Sequence, residues 1–324
     1  MIKQYTTQAL AQLRQHPIIS AVSIIGTALA IFLIMLVVMM QQVKTAPFAP
    51  ESNRDRFLHV HYMSISNKNW KGNGGQSNGP MSERTIKELF QSLKTPEAVT
   101  IYTCMPIATP VSLPGKAATA VDLLETDDIF WRVFDFSFID GKPYDKATFD
   151  AAQPVAVITE SVARILFGTT EGIVGKEFLL NHALYRVAGV VKDVSTLANT
   201  CYGQVWIPYT STGQDKNVWS DGHMGMMSCT ILARSRDDFD AIRQESLNRF
   251  ETYNQLVGED GYNFIHRNRP YDQEKQAISF SANQEPNVEA NRRKRLITYL
   301  ILLIVPAINL SSMTQSRLRQ RVSE

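Results

Sequence analysis

Cysteine is scarce in this chain, which has three among 324 residues: Cys104, Cys201 and Cys229. So few thiols exclude a disulfide framework of the kind that holds small secreted domains together, and the odd number leaves at least one thiol unpaired. A bridge between Cys201 and Cys229 is compatible with an oxidising compartment. Three buried thiols are the simpler interpretation, because a free cysteine behaves as a small apolar side chain.

Net charge is also low, at +2 at pH 7, which gives no support to a nucleic-acid partner. The charge is unevenly distributed, because residues 291–324 hold seven basic residues and one acidic residue, a net charge of +6. These basic residues flank an apolar run. We therefore expect them to face membrane lipid headgroups and water at the ends of a helix.

The common nucleotide-binding and catalytic motifs are missing. Gly175-Lys176 resembles the end of a phosphate-binding loop, but that loop needs Gly where Thr170 stands and Ser or Thr where Glu177 stands. We therefore predict that this chain binds no ATP by itself. The sequence also has no GxSxG and no HExxH motif, which leaves a hydrolase without its nucleophile or its zinc site.

Two groups of side chains have the chemistry of metal ligands. His59 and His61 are two residues apart in a predicted strand and so share one face, but a third ligand would have to come from elsewhere. His223, Met224, Met226 and Met227 are soft ligands that suit copper(I). A half-buried strand and a mobile loop or apolar contact surface explain the two patterns more simply, so we predict no metal site.

Asp127 and Asp128 form a pair of adjacent carboxylates. Such a pair suggests acid–base chemistry, but this one stands at the start of a predicted helix. Carboxylates there complement the positive end of the helix dipole. A structural role is therefore the preferred interpretation.

A long apolar run is the most prominent feature of the sequence. Residues 18–40 contain no charge, and as a helix of 23 residues they span about 34 Å, enough for a hydrocarbon core of ~30 Å. A cleaved signal peptide is the alternative, but its apolar core has only ~7–15 residues and ends at a small-x-small site. Residues 43–46 make a poor site and Pro47 follows them. We predict an uncleaved transmembrane helix.

Two further segments are predicted to interact with the membrane. Residues 1–17 have the apolar spacing of an amphipathic helix on the membrane surface. Residues 296–313 are apolar enough for a second span at the lower length limit, and Pro306 and Asn309 within it need neighbouring helices rather than lipid. We predict a transmembrane helix over 291–313 and a cytoplasmic helix over 314–324.

Between the apolar runs, residues 41–290 have the pattern of a water-soluble domain. The predicted elements are a strand over 57–64, an irregular Gly- and Asn-rich loop over 67–79, a helix capped by Ser82 and ended by Pro96, a strand over 155–158, a helix capped by Thr159 and ended by Gly168, a hairpin of 178–181 and 185–191, strands at 204–208 and 230–233, and a helix over 237–251. This interleaving predicts an α+β fold, a mixed α/β domain with two subdomains between two transmembrane helices.

Several phrases in this order resemble the MacB/FtsX-type permeases of ABC transporters. DDIFWRVFDFSFIDGKPY, at 127–144, is similar to the family's short aromatic helix and Gly turn, and PVAVITESVARILFG to its strand and helix. VGKEF and YRVAGVVKDV are similar to its Gly-Lys turn and Val-rich strand. Asn309, Met313, Arg321 and Glu324 fall where the family has a membrane-exit helix with Arg-x-x-Glu-Ile-Gly.

The resemblance implies a permease subunit with a MacB-like periplasmic core domain in the bacterial inner membrane. It implies mechanotransmission, in which a partner ABC ATPase binds ATP and magnesium and this chain itself holds no cofactor. Hydrolysis by the partner would then move the periplasmic domain of this chain, for export or for control of a periplasmic adaptor or effector. A homodimer, or a heterodimer with another permease, is implied. Family members continue with two more spans, so we expect a truncated permease or a fragment.

The resemblance also assigns roles to the end of the chain. The implied ATPase-docking helix carries Arg317, Arg319, Arg321 and Glu324, and the second span packs through Pro306, Asn309 and Met313. A basic anchor on lipid headgroups is the alternative to docking. The alternative for the whole protein is a membrane-anchored periplasmic sensor or binding module that works without an ATPase.

Overall fold

The computed structural model describes residues 17–70 and 75–322. The chain forms two units, of which one consists of the terminal segments and the other is the domain Thr45–Pro286. The terminal unit contains helix α1 (Pro17–Thr45) and helix α8 (Val288–Val322). Of the described helices, one is long and apolar enough to cross a membrane: α1 over Ser20–Thr45, with a mean hydropathy of 2.8. The amphipathic helix predicted before Pro17 lies outside the described residues.

Helix α8 is continuous for 35 residues and includes the whole of the predicted second span. Membrane crossing by α8 stays a prediction.

The domain has sixteen strands among its described residues. They are β1 (Phe57–Val60), β2 (Met63–Asn67), β3 (Gln76–Gly79), β4 (Ala98–Thr103), β5 (Ile107–Ser112), β6 (Thr119–Thr126), β7 (Phe138–Gly141), β8 (Val155–Thr159), β9 (Glu177–Leu180), β10 (Ala183–Val191), β11 (Val205–Pro208), β12 (Val218–Trp219), β13 (Met224–Gly225), β14 (Met227–Leu232), β15 (Tyr262–Ile265) and β16 (Tyr271–Asp272). Its helices are α2 (Glu83–Ile86), α3 (Phe130–Val133), α4 (Lys146–Asp150), α5 (Glu160–Phe167), α6 (Phe239–Val257) and α7 (Gln273–Gln276).

Most strands join one sheet in the order β11-β8-β10-β9-β5-β6-β4-β14-β1-β16, with β7 added beside β10. Because β6 also pairs with β11, the six strands from β11 to β6 close into a ring. Apolar side chains of this ring and of α5 form one core cluster, including Val111, Ile158, Leu166, Val187 and Val205. A second cluster lies between the open part of the sheet and α6, and a third is rich in aromatic residues. The mixed α/β fold is the one predicted.

Local signals specify the elements around the ring. Strand β8 is VAVIT, buried throughout and β-branched at every position except Ala156, and it pairs in parallel with β10 as expected for a strand covered on both faces. The side chain of Thr159 accepts a hydrogen bond from the N–H of Val162 and caps α5, and Gly168 ends that helix at φ +73°. Strands β9 and β10 form the predicted hairpin, whose two turn residues, Asn181 and His182, have positive φ.

Three local predictions are wrong. The strand predicted over 57–64 is two strands, since β1 joins the large sheet while β2 joins a separate sheet with β3 and β15. Strand β3 lies inside the segment predicted to be irregular, because pairing with β2 outweighs the low strand preference of Gly and Asn. The helix capped by Ser82 ends in a π-helical turn at Gln91, before Pro96.

Candidate functional site

The segment that follows α1 contains a buried ion pair. Nε of Arg54 lies 2.6 Å from Oε2 of Glu51, and the two side chains are 1% and 0% exposed. Removing both charges from water is costly, and such a pair is tolerated only when further hydrogen bonds satisfy its remaining donors and acceptors. The surrounding chain supplies them.

Arg54 binds two parts of the domain that are far apart in sequence. Its Nη1 donates to the carbonyl oxygen of Ala46 at 3.1 Å, and its Nη2 donates to that of Leu197 at 2.8 Å. The guanidinium carbon lies 4.2 Å from the centroid of the Phe48 ring, a cation–π contact. One side chain therefore links the residue next to the end of α1 with the loop after β10.

Glu51 binds the same loop through its second oxygen. Oε1 accepts the backbone N–H groups of Thr200 at 2.8 Å and Cys201 at 3.2 Å. Charge-assisted bonds of this kind are about twice as strong as neutral ones. The pair, which we call the entry clamp (Glu51 and Arg54), fixes the first residues of the domain to residues 197–201.

Sequence reasoning missed the entry clamp. Its local signal is a Glu and an Arg three residues apart, between Pro50 and the strand that begins at Phe57, directly after an apolar helix. Opposite charges at that spacing are common on exposed turns, so burial could not be inferred from them.

Asp127 has the structural role that we preferred. Its carboxylate accepts the N–H of Phe130 at the start of α3, the N–H of Ile101 and the hydroxyl of Thr100, at 3.0, 2.8 and 2.6 Å. Burial raises the pKa of Asp127 to about 7, although these three donors lower it. The side chain joins α3 to β4.

A second buried acid lies on β6. Burial raises the pKa of Glu125 to about 7, and the nearby Asp215 carboxylate raises it further. The hydroxyl of Thr212 donates to Glu125 at 2.5 Å and opposes that rise. Among the described residues, no group of three or more His, Cys, Asp or Glu side chains has the arrangement of a metal site.

His59 on β1 and His61 in the link between β1 and β2, which were predicted to share one strand, both contact the end of the domain. His59 contacts Thr230 at 3.3 Å and Gln273 at 2.8 Å, so its ring joins β1 to α7. Nδ1 of His61 lies 3.2 Å from Nε2 of Gln276, also on α7. Burial lowers the pKa of His59 to about 3 and that of His61 to about 4. Both rings are therefore neutral structural groups near neutral pH.

The methionine segment and the cysteines are mostly buried. His223, Met224 and Met227 are 4%, 0% and 1% exposed, so the interpretation of this stretch as a mobile loop or contact surface is wrong for these three residues. Aromatic rings of Tyr262 and Phe264 contact His223 instead. All three cysteines are free: Cys201 and Cys229 are buried and Cys104 is partly exposed.

The residues assigned to docking and span packing lie along one helix. Pro306, Asn309, Met313, Arg317, Arg319 and Arg321 all fall within α8, whereas Glu324 lies outside the described residues. From Pro306 to Arg321 the helix rises about 22 Å at ~1.5 Å per residue. Their roles stay predictions.

An apolar helix of spanning length comes before a mixed α/β domain whose first residues are clamped by buried bonds, an arrangement that suits a membrane-anchored domain. The chain belongs to the family of MacB-like periplasmic core domains, whose family model matches residues 20–248. This is the family that the sequence phrases predicted. Its members are permease components of ABC transporters, distinct from the ATPase subunits with which they work.

Among the solved structures that resemble the chain are three domains of 13–20% identity. The periplasmic region of MacB from Actinobacillus actinomycetemcomitans is 20% identical, with a TM-score of 0.42 over 64% of this chain and 89% of that one. The extracellular domain of the noncanonic ABC-type transporter YknZ from Gram-positive bacteria is 13% identical, with a TM-score of 0.42 over 63% of this chain and 99% of that one. A domain of a putative permease protein from Porphyromonas gingivalis is 14% identical, with a TM-score of 0.48 over 68% of this chain and 91% of that one. No curated protein matches the chain.

Proposed function

We propose that this chain is a permease subunit of an inner-membrane ABC transporter that couples ATP hydrolysis by a partner ATPase to motion of its periplasmic domain. The entry clamp carries this proposal. Movement of a membrane helix reaches a domain only if the chain between them is stiff. Glu51 and Arg54 make that chain stiff, because they fix residues 46–54 to residues 197–201 through buried, charge-assisted bonds.

Membership of the family supports the following assignment of roles. The partner ATPase binds ATP and magnesium, and this chain transmits the resulting movement for export or for control of a periplasmic adaptor or effector. Arg317, Arg319, Arg321 and Glu324 dock on the ATPase, and Pro306, Asn309 and Met313 pack the second span. Two permease chains, identical or different, act together.

The test uses the full-length permease with its ATPase in lipid nanodiscs. Nitroxide spin labels are placed at the exposed residues Met40 on α1 and His182 on the β9–β10 turn, in a Cys104→Ser background, because the two remaining cysteines are buried. Nucleotide trapping should shift the distance distribution between the labels. In the double variant Glu51→Gln/Arg54→Met the ATPase should stay bound and hydrolyse ATP, while the shift is lost.

A surface pair provides the matched control. Arg164 and Glu160 on α5 are 2.8 Å apart, with side chains 63% and 28% exposed, so Glu160→Gln/Arg164→Met removes the same charges without touching the clamp. This control should keep the nucleotide-dependent shift. A shift that persists in the clamp variant contradicts the clamp's role, and no shift in the unmodified protein contradicts the coupling function itself.

The anchored sensor or binding module makes a different prediction. It requires no nucleotide-binding subunit, so purification of the full-length protein from membranes should bring no ATPase with it. Recovery of a stoichiometric ATPase contradicts the sensor, and repeated absence of one contradicts the permease.

A further inference from the structure

A surface cleft of about 600 Å³ lies where strand β10 changes partners. The first half of β10 pairs with β9 and its end pairs with β7, so the cleft opens beside Val187 and Ala188, between these two neighbours. The two Gly-Lys turns of the sequence meet there. Gly141 is the last residue of β7 and Lys142 follows it, and Gly175-Lys176 precedes β9.

Glycine is required at the first of these turns. Gly141 has φ +69°, and a Cβ on it would lie 2.3 Å from the carbonyl oxygen of Ala188. The close approach lets the N–H of Lys142 donate to the same oxygen at 3.2 Å. The turn therefore holds Lys142 against the strand at the edge of the cleft.

The backbone around the cleft already has hydrogen-bond partners. The N–H of Gly175 donates to the carbonyl oxygen of Val187 at 2.8 Å, and the N–H of Val187 donates to that of Lys176 at 2.9 Å. An added strand needs free N–H and C=O groups, which these residues do not offer. A ligand here must be recognised by side chains.

Those side chains provide an apolar floor and a cationic rim. Tyr144, Val155 and Val187 are buried at the base, and Val174 is 45% exposed on one wall. Lys142 and Arg186 also line the cleft, and within the described residues neither forms a salt bridge.

The acid of the cleft is already engaged. Asp145 accepts the N–H and the hydroxyl of Thr148 at 2.9 and 2.8 Å, which caps α4, and these bonds, together with the nearby positive charge of Lys142, lower its pKa. The cleft is therefore lined by two cationic side chains and one carboxylate, and that carboxylate is hydrogen-bonded to its own helix.

We propose that this cleft binds a small amphiphilic anion, with its apolar part on the floor and its acidic group paired with Lys142 and Arg186. The volume is within the ~300–1,000 Å³ of ligand pockets, and an apolar lining with a few charged groups is the usual composition of such sites. The site stands on its own geometry and is independent of the coupling function. An acyl-chain acid and a peptide carboxylate beside an apolar side chain share this chemistry.

The test is ligand-observed fluorine NMR with the full chain in nanodiscs and 4-(trifluoromethyl)benzenesulfonate as the probe. The unmodified protein should bind the probe, and the variant Lys142→Gln/Arg186→Gln should bind it at least fivefold more weakly. Lys146→Gln is the matched control, because this exposed lysine lies on α4, is paired with Asp150 and does not line the cleft. Because all samples contain the same lipid, the comparison removes partitioning of the probe into the bilayer.

Further ligands and one further variant test the two halves of the site. Val174→Asn, at an exposed position, should weaken binding without unfolding the domain, and the neutral 4-(trifluoromethyl)benzyl alcohol should bind at least fivefold more weakly than the sulfonate. Stronger competition by decanoate supports an acyl-chain ligand, and stronger competition by N-acetylphenylalanine supports a peptide. Equal binding by the double variant, equal binding by the alcohol, or displacement by inorganic sulfate alone overturns the proposal.

Discussion

Arg54 reaches across 143 residues of sequence to the carbonyl oxygen of Leu197, 2.8 Å from its Nη2, while its Nε binds Glu51 three residues away. The same guanidinium therefore makes a local ion pair and a long-range link. Residues that join distant segments in this way contribute to the stability of the domain as well as to any motion that passes through it.

The clamp predicts an asymmetric response to mutation. Arg54→Met leaves the Glu51 carboxylate buried without its counter-ion and should lower the free energy of unfolding by about 3–5 kcal/mol. The double variant Glu51→Gln/Arg54→Met removes both charges and should lower the free energy of unfolding much less. Denaturant unfolding of the full chain, followed by the fluorescence of the buried Trp206, measures both values. Equal losses in the two variants would contradict a tightly coupled pair.

The lowered pKa values of His59 and His61 predict a loss of stability in acid. Their folded-state pKa values, about 3 for His59 and about 4 for His61, lie below the ordinary 6.5, so the unfolded chain binds more protons between those limits. Their contribution is complete above pH 6.5 and is lost as the pH falls toward 4, by about 1.4 kcal/mol per pH unit for each histidine. In His61→Gln the acid slope of the unfolding free energy should be shallower. An unchanged slope rules this out.

Glu125 predicts the opposite trend. Its folded-state pKa of about 7 lies above the ordinary 4.5, so the folded protein binds the extra proton. The stability that this proton provides is present below pH 4.5 and is lost as the pH rises through 7, by about 1.4 kcal/mol per unit. Glu125→Gln keeps an acceptor for Thr212 and should be more stable than the unmodified protein at pH 8, with no gain at pH 4. Urea titrations at the two pH values check this.

Two glycines with similar backbone angles predict different costs. Gly168 has φ +73° and open space around its missing Cβ, so Gly168→Ala should cost roughly 1–2 kcal/mol, the left-handed penalty alone. Gly141 has φ +69° and the close contact with Ala188, so Gly141→Ala should cost more and should also weaken probe binding to the cleft. Thermal unfolding of the two variants measures the difference. Similar losses would show that the β7 turn can open without strain.

The elements that could be predicted from sequence are those with local causes. Thr159 binds the N–H of Val162 and Gly168 ends the same helix, so both ends of α5 are specified within ten residues. The β9–β10 hairpin is also local. The break between β1 and β2 depends instead on strands β14 and β15, more than 160 residues away, and no pattern within 57–64 contains it.

The candidate site was harder to predict for the same reason. The long-range contacts that distinguish Glu51 and Arg54 from exposed charges are with Thr200, Cys201 and Leu197, which the fold brings to them. Part of the cleft could be predicted, because the sequence indicates both Gly-Lys turns. The two turns lie close together because β7 and β9 both pair with β10, and this strand pairing could not be predicted from the sequence.

Charge reversal at the two ends of α8 distinguishes the hypothesis that its end docks on the ATPase from the hypothesis that it anchors to lipid headgroups. If Arg321 docks on the ATPase, Arg321→Glu in the full-length protein should reduce copurification of the ATPase severalfold, because a reversed charge repels the partner surface instead of attracting it. Arg293→Glu changes the charge by the same amount near the start of α8, in the basic run that we expect at the lipid headgroups, and should leave ATPase recovery intact. Membrane fractions should contain equal amounts of the two variants. If both recover the ATPase fully, the basic tail is an anchor to lipid and the docking role falls.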